Sequence, residues 1–251
     1  MDLLQGIALG ILQGILEWIP ISSEGQGMLV MINWLGLTPK DALSCSIFLH
    51  LGTMSAVLIR FRHDFLRMLK EIDSKQTRIV ILSTLFTGIT GIPLYLLFRD
   101  SFTGGREATL LIGVLLIATG FMLRFKGSGT RGTEDMGLAD MAALGLAQGF
   151  SILPGVSRSG TTLTMLLMRG FKQDEALTIS FIISVPAVLG AIVLDHSIAA
   201  IPWTTAAVML IASLTVGYLT MDLLIRFAKR IDFSGFCFVL GIITLLLTIV
   251  Q

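Results

Sequence analysis

The sequence predicts an all-α integral membrane protein with six transmembrane helices and two re-entrant helical hairpins in an inverted-topology repeat. Three observations predict this fold class. Hydrophobic residues make up 54% of the 251-residue chain and charged residues only 14%, and the mean hydropathy of +0.85 exceeds that of soluble domains. A polar sequence pattern occurs twice in apolar surroundings. Basic residues are concentrated on one predicted side of the membrane.

Six apolar stretches are long enough to cross a bilayer, which takes about 20 residues in a helix. They run over 42–60, 78–98, 107–124, 174–195, 203–225 and 233–250. Two further apolar regions, 2–36 and 137–170, are interrupted in the middle by Pro, Ser, Gly and charged residues. Irregular backbone at membrane depth is tolerated only where protein or a wet cavity satisfies it. Each interrupted region is therefore predicted to be a re-entrant hairpin.

The two interrupted regions contain the same pattern at the same spacing. The front cassette contains Gln13-Gly14, Pro20 and Ser22-Ser23-Glu24-Gly25, and the rear cassette contains Gln148-Gly149, Pro154 and Ser157-Arg158-Ser159-Gly160. In both copies the first serine follows the glutamine by nine positions and the last glycine follows it by twelve. A charge at the centre of a membrane helix costs roughly 2.5–3.5 kcal/mol, so these charges predict a functional site.

Lysine and arginine counts give the orientation of the chain in the membrane. If both hairpins return to the side they entered from, the loops at 60–78, 124–134, 169–172 and 226–230 share one side. These loops carry fourteen of the eighteen basic residues, against three on the opposite side. The positive-inside rule then places both termini outside the cytoplasm of a cell membrane. Within the single domain, 1–251, the halves 1–125 and 136–251 form inverted repeats, which commonly meet around a midplane binding site.

The rear cassette has the residue types that bind phosphate. Arg158 offers a rigid fork of donors suited to bidentate phosphate binding. Ser157, Ser159 and Thr162 add hydroxyl groups, and Gly155 permits close backbone approach. If a half-helix begins near Ser157, its free N–H groups add affinity for an anion.

The front cassette supplies carboxylates and further hydroxyl groups. Gln13 and Glu17 are four residues apart and are predicted to share one helical face. Ser22, Ser23 and Glu24 follow in the next turn of the chain. Carboxylate, hydroxyl and guanidinium groups together are the minimum set for phosphoryl transfer.

Some of these residues also have a structural interpretation. Gly6, Gly10 and Gly14 recur every four residues and fit close helix packing better than catalysis. For the charged residues of both cassettes, a buried ion pair without catalytic function is the alternative.

Several other residues are expected to pack inside the protein or to face solvent. His50 lies within a span and is interpreted as a packing histidine, and Gln26 alone would be an interhelical hydrogen bond. Cys45 and Cys237 lie in separate apolar stretches, so core packing is expected rather than a disulfide or a metal site. The charged stretch 60–78 is interpreted as a solvated cytoplasmic loop at anionic lipid head groups.

The two cassettes resemble the motifs of a known family. Gln13-Gly-Ile-Leu-Glu17, followed by Pro20-Ile-Ser22-Ser23, resembles the Glu/Gln-x-x-x-Glu motif of the undecaprenyl-diphosphate phosphatase family, also called bacitracin-resistance proteins. The segment from Pro154 to Thr162, PGVSRSGTT, resembles the long Pro-Gly-x-Ser-Arg-Ser-x-x-Thr motif of that family. The resemblance extends over the full chain, including 48–53 and 181–186.

This resemblance implies an enzyme that hydrolyses a polyprenyl diphosphate to the monophosphate and phosphate, which recycles the lipid carrier of cell-surface glycans. It implies assistance by Mg²⁺ or Ca²⁺, and the interlocked inverted repeat as the fold. The lipid diphosphate and membrane lipids are the expected partners, nucleic acid is not, and a homodimer is left open. The implied catalytic residues are Glu17, Ser23 and Arg158. The implied substrate-binding residues are Gln13, Ser22, Gln26, Gly155, Ser157, Ser159 and Thr162.

The front cassette departs from the family pattern at two positions. The family reads Ser-Ser-Thr/Ser-Gly-His, whereas this chain has Glu24 and Gln26 at the third and fifth positions. Two mechanisms have been proposed for the family, in which either that histidine or the second serine attacks phosphorus. Gln26 cannot act as a nucleophile or base. Ser23 is therefore the expected nucleophile, with Glu17 as its base, and Glu24 is expected to bind the divalent ion together with Glu17.

The departures leave open whether the substrate is shifted or activity is lost in a silent homologue. The alternative from another functional class is a non-enzymatic anion or lipid transporter, or flippase, that uses the same paired hairpins.

Overall fold

A computed structural model describes residues 1–99, 104–125, 127, 129–195, 201–228 and 230–250. Over these residues the chain forms eleven α-helices joined by short turns. They are α1 (Leu3–Leu16), α2 (Ser23–Asn33), α3 (Pro39–Arg60), α4 (Arg62–Lys70), α5 (Lys75–Arg99), α6 (Gly105–Met122), α7 (Leu138–Gly149), α8 (Arg158–Met168), α9 (Gln173–Leu194), α10 (Trp203–Ala228) and α11 (Phe233–Val250).

Every predicted span is a helix in the structure, with ends that differ by a few residues. Five of these helices, α3, α5, α6, α9 and α10, are long and apolar enough to cross a membrane. The sixth predicted span corresponds to α11, which is apolar over Phe233–Ile249 and belongs with α1 and α7 among the shorter apolar helices. The chain is therefore a helical membrane protein with at least five helices of spanning length in the described ranges.

The two interrupted regions form pairs of short helices that begin in the same way. The break in the first region separates α1 from α2, and the break in the second separates α7 from α8. Ser22 caps α2, and its side-chain oxygen accepts a hydrogen bond from the N–H of Gly25 at 3.2 Å. Ser157 caps α8 and accepts from the N–H of Gly160 at 3.2 Å. The repeated spacing in the sequence is thus a repeated helix start, as predicted for Ser157.

The first helix of each pair packs against a long helix from the other half of the chain. Helix α1 packs against α10, and α7 packs against α5. The contacts are close because glycine faces the partner: a Cβ at Gly10 would lie 2.6 Å from Cβ of Ala212, and one at Gly14 would lie 2.7 Å from the nitrogen of Gly217. The close packing predicted for the α1 glycines is confirmed. The position of the front cassette is therefore set by a helix of the rear half.

A salt-bridge cluster holds the start of the rear pair. The carboxylate of Asp140, in the first turn of α7, accepts hydrogen bonds from Arg131 Nη2 at 2.6 Å and from Arg169 Nε at 2.7 Å. The Arg131 guanidinium also lies 4.4 Å from the ring centroid of Phe171. These contacts join the segment before α7 to the turn after α8, so both ends of the rear pair are fixed together.

The stretch 60–78 was expected to be a solvated loop. Most of its residues are exposed, and it also contains the short helix α4, which was not predicted. Phe65, Met68 and Leu69 recur at helical spacing among the charged residues, which is the pattern of an amphipathic helix. Met68 is buried, whereas Leu69 is exposed.

The core packing predicted for the two cysteines is confirmed. Cys45 and Cys237 are both buried and free. The Cys237 thiol donates to the carbonyl of Pro20 at 3.3 Å, which joins α11 to the front cassette.

Candidate active site

A cavity of about 760 Å³ lies where the two cassettes meet. One end is polar, and the remainder is formed by apolar residues of α5 and α9. This volume is in the range of small-molecule sites. The polar residues at the cassette end are Glu17, Ser22, Ser23, Glu24, His50, Gln148, Ser151, Ser157, Arg158, Ser159 and Ser184.

Glu17 is the centre of the hydrogen-bond network at this end. Its Oε1 accepts a hydrogen bond from Nη2 of Arg158 in a salt bridge between the two halves of the chain. Its Oε2 accepts from Gln13 Nε2 at 2.9 Å and from Ser23 Oγ at 2.8 Å, and it lies 3.3 Å from Nε2 of His50. The predicted shared face of Gln13 and Glu17 is confirmed. Glu17 is buried and Arg158 is largely buried, since their side chains are 5% and 15% exposed.

Arg158 is held in place by its surroundings. It is the first residue of α8, and its Nη1 donates to the carbonyl of Ser180 at 3.4 Å. The guanidinium lies 5.7 Å from the ring centroid of Phe181, which itself contacts Trp18 edge-on at 5.6 Å. Behind it, Thr162 Oγ1 donates to the carbonyl of Arg158 at 2.8 Å. The cation is thus preorganised before a ligand binds.

Two helix N-termini meet at the polar end of the cavity. The first amides of a helix have no partner within the helix, and the helix dipole adds partial positive charge there. Ser22 joins the two starts, because its Oγ also accepts from the N–H of Gly155 in the rear cassette at 3.0 Å. The φ of Ser22 is 60°, a conformation that costs a non-glycine residue on the order of 1–3 kcal/mol and is found at functional sites. Paired N-termini of this kind suit an anion.

Gly155 makes the close approach of the cassettes feasible. Its φ is +107°, and a Cβ there would lie 2.8 Å from the carbonyl oxygen of Ile112. A Cβ on Gly25 would lie 2.9 Å from the nitrogen of Gly155. The backbones of the two cassettes therefore touch, and a side chain at either glycine would separate them.

Glu24 differs from Glu17 in having an oxygen without a partner. Its Oε1 is shielded from solvent and makes no hydrogen bond to the described residues. Carboxylate oxygens are the ligands that Mg²⁺ and Ca²⁺ prefer, and Mg²⁺ is commonly held by one or two carboxylates together with substrate phosphates. In the described part of the chain no group of three or more His, Cys, Asp or Glu residues is placed to hold a metal. Of the predicted pair of ligands, Glu24 offers a free oxygen and Glu17 does not.

His50 was interpreted as a packing histidine, and in the structure each of its ring nitrogens has a partner. His50 lines the cavity, with Nδ1 2.7 Å from the carbonyl oxygen of Ser46 and Nε2 facing Glu17. A carbonyl only accepts, so Nδ1 carries a hydrogen. A signal was present in the sequence, because an ionisable residue within a span predicts a functional site.

Gln148, the first residue of the rear cassette, also belongs to the cavity wall. Its Nε2 donates to Thr87 Oγ1 at 3.0 Å and to the carbonyl of Ile183 at 3.4 Å. Its Oε1 is buried and has no hydrogen-bond partner among the described residues. The equivalence of Gln148 with Gln13 in the repeated pattern was the signal for this position.

Four of the predicted substrate-binding residues lie behind the cavity wall rather than in it. Gln13, Gly155 and Thr162 support residues that line the cavity, as described above. The Gln26 Nε2 donates to the carbonyl of Ile21 at 3.4 Å, so its hydrogen bond stays within the front cassette rather than joining two helices. The other predicted site residues do line the cavity.

Comparison with known proteins gives a consistent family match. The family model described as "Bacitracin resistance protein BacA" matches residues 6–245. A protein of Methanothrix thermoacetophila named undecaprenyl-diphosphatase is 65% identical over 99% of this chain and 98% of its own length. Proteins of the same name from Methanococcoides burtonii and Methanopyrus kandleri are 37% and 36% identical. Each alignment covers 98% of this chain, and they cover 98% and 96% of the two relatives.

Proposed function

The chain belongs to the bacitracin resistance protein BacA family, and from this we propose that it hydrolyses a polyprenyl diphosphate of the undecaprenyl type to the monophosphate and phosphate. One observation carries the proposal. Glu17 of the front cassette and Arg158 of the rear cassette pair inside a cavity that is polar at the cassettes and apolar beyond them. The relatives named undecaprenyl-diphosphatase support the same substrate class.

The diphosphate occupies the polar end of the cavity. Arg158 has five N–H donors and matches the geometry of phosphate oxygens. The N-termini of α2 and α8 border the same space and favour negative charge. The isoprenoid tail then lies along the apolar walls of α5 and α9.

Ser23 is the nucleophile in this mechanism. Its Oγ donates to Glu17 Oε2, so Glu17 takes the proton as Oγ attacks the terminal phosphorus. The bond from that phosphorus to the bridging oxygen breaks, and the lipid monophosphate leaves with the oxygen. Water then attacks the phosphorus of the seryl phosphate, Glu17 returns its proton to the departing Ser23 Oγ, and inorganic phosphate is released.

Arg158 couples binding to this proton transfer. Before substrate binds, its Nη2 donates to Oε1 of Glu17. When N–H donors of the guanidinium bind phosphate oxygens instead, Oε1 of Glu17 loses a hydrogen bond, and the carboxylate becomes a stronger base for the Ser23 proton that is held at Oε2. The same group stabilises the charge that develops on the phosphoryl oxygens.

Glu24 is the residue proposed to hold a divalent cation, through its unpartnered Oε1. When bound, Mg²⁺ or Ca²⁺ supplies positive charge beside the phosphates. Glu17 is assigned to proton transfer and not to the cation, because its Oε2 is engaged by Gln13 and Ser23.

We also infer the membrane arrangement from the packing and the charge pattern. Six spans and two re-entrant pairs, in inverted repeats over 1–125 and 136–251, agree with the equal starts of α2 and α8 and with the exchanged contacts of α1 and α7. The excess of basic residues in four loops favours a cell membrane location with both termini outside the cytoplasm. Two of those basic residues, Lys126 and Lys229, lie outside the described ranges.

Phosphate release in detergent tests this function. The purified protein should release inorganic phosphate from undecaprenyl diphosphate, and a chelator should lower the rate. A transporter needs two compartments, whereas hydrolysis does not, so turnover in micelles separates the two classes. Absence of phosphate release, with and without added Mg²⁺ or Ca²⁺, would reject the phosphatase.

A further inference from the structure

The apolar part of the cavity opens sideways between α5 and α9. The two helices share a core cluster near their N-terminal ends, formed by Ile79 of α5 and Ile179 and Ile183 of α9. Their C-terminal halves line the cavity instead. Residues that both line the cavity and are exposed on the outer surface are Leu85, Ile89, Ile92, Leu189 and Val193. The cavity is therefore continuous with the surface that faces lipid.

Glycines keep this opening wide. Gly88 of α5 and Gly190 of α9 line the cavity. A Cβ at Gly190 would meet no atom within 4 Å, and one at Gly88 would meet only Cδ1 of Ile92, at 3.6 Å. Neither glycine is needed for helix packing, in contrast to Gly10 and Gly14. A larger side chain at either position would occupy the cleft without displacing the protein around it.

A buried hydrogen-bond acceptor without a partner lies where the polar and apolar parts of the cavity meet. Gln148 is 1% exposed, lines the cavity, and has an unpartnered Oε1. Thr87 Oγ1 donates to the carbonyl of Ser83 at 2.8 Å, so it can only accept from Gln148. This fixes the amide nitrogen toward Thr87 and leaves the amide oxygen without a donor from the protein. An unsatisfied buried acceptor is costly and indicates that a ligand completes the site.

The volume of the cavity limits how much of a lipid it can hold. About 760 Å³ fits a ligand of drug size, which corresponds to the diphosphate and the isoprene units next to it. The rest of a long polyprenyl chain has to leave through the opening between α5 and α9 into the bilayer. The protein therefore contacts the head of the substrate and the start of its tail.

We propose that the protein selects its substrate by the isoprene units nearest the diphosphate, and that Gly88 and Gly190 are the specificity-determining positions. The cleft begins at the cassettes that bind the diphosphate, so the tail attached to that diphosphate is its occupant. This inference rests on the proposed function, because it assigns the tail of the same substrate. Chain length beyond the cavity then has little influence on turnover.

A cavity-filling variant tests the assignment. For Gly190→Phe, we expect kcat/KM for undecaprenyl diphosphate to fall about tenfold or more, the scale on which apolar pockets discriminate added carbon groups. Isopentenyl diphosphate has a single isoprene unit, and its turnover, or its inhibition constant as a competitor, should change less than about twofold. Gly235→Phe on α11 is the matched control. A Cβ at Gly235 would also meet no atom within 4 Å, but this residue does not line the cavity. Gly235→Phe should therefore leave the values for both compounds unchanged.

Gly88→Leu repeats the test from the opposite wall of the cleft and replaces Gly190→Phe if that variant fails to fold. It should produce the same selective loss for the long substrate. Unchanged long-chain turnover in the folded variants, or equal losses for the long and the short compound, would overturn the inference. An inactive wild-type protein would instead contradict the proposed function, so the two failures are distinguishable.

A series of substrates of increasing chain length provides a second measurement. The kcat/KM of the wild type should rise with the first isoprene units and then become constant. A continued rise up to the longest chains would contradict selection by the start of the tail.

Discussion

The front and rear cassettes share one backbone construction and carry opposite chemistry. In each, a glutamine near the end of the first helix is followed nine residues later by the serine that caps the second helix. The residue after the cap is Ser23 in front and Arg158 in the rear, and the next is Glu24 or Ser159. The common frame thus brings two helix N-termini to one cavity. The side chains at the first two helical positions, together with Glu17 at the end of α1, determine what each half contributes.

The two halves depend on each other electrostatically. A buried ion pair stabilises a protein little compared with apolar residues of the same volume, yet removal of one partner costs roughly 3–5 kcal/mol. The pair of Glu17 and Arg158 is therefore better explained by function than by stability. Substitutions in one cassette, compared with matched substitutions in the other, test this explanation.

Loss of the rear cation should have the largest effect. Arg158→Ala is expected to lower phosphate release by about 10³–10⁵-fold, the range known for arginines that stabilise a transferring phosphoryl group. Arg158→Lys keeps the charge but not the fork, and should fall between Arg158→Ala and the wild type. Thermal unfolding of each variant controls for misfolding. A near-normal rate in folded Arg158→Ala would contradict the role of the rear cassette.

Loss of the front nucleophile should come next. For Ser23→Ala we expect phosphate release to fall by about 10²–10⁴-fold, because both the attacking oxygen and its proton transfer to Glu17 are removed. Ser159→Ala is the matched control, since it removes a cavity hydroxyl of the rear cassette. Its rate of phosphate release should fall much less than that of Ser23→Ala. Activity that survives in Ser23→Ala would indicate direct attack by water.

Glu24→Gln should weaken cation binding and should affect the fold less than the substitutions of Arg158 do. Its Oε1 is the unpartnered carboxylate oxygen of the front cassette, and hard cations bind carboxylate more strongly than amide. We expect the affinity for Ca²⁺ or Mn²⁺, measured by titration calorimetry without substrate, to fall roughly tenfold. Equal affinities in Glu24→Gln and the wild type would place the ion elsewhere.

The smallest effects should come from the two helix caps. Ser22→Ala and Ser157→Ala each remove a cap worth about 1 kcal/mol. Ser22 also accepts from the amide of Gly155, so its loss should cost about 1 kcal/mol more. Thermal unfolding should therefore show a lower Tm for Ser22→Ala than for Ser157→Ala. Equal shifts would argue against the link between the cassettes.

The local features of this fold were predictable from the sequence, and the distant contacts were not. The length of apolar stretches and the spacing of Gln, Ser and Gly located the helices and both cassettes to within a few residues. Helix α4 was missed because its charges outweighed its apolar spacing. The contact of His50 with Glu17 was missed because it joins α1 to α3, and no local pattern encodes which face of α3 meets the cavity. Gln13 was predicted to bind substrate but lies behind the cavity wall, and this was missed for the same reason: no local pattern encodes which residues of α1 reach the cavity.

The central claim is that an acid from the front half and a cation from the rear half act as one unit. A double-mutant cycle of Glu17→Gln and Arg158→Ala on phosphate release from undecaprenyl diphosphate tests it most directly. Groups that act as a unit are strongly non-additive, so the double variant should be only slightly slower than the slower single variant. Losses that multiply across the two substitutions would contradict the claim and show that the two cassettes work independently.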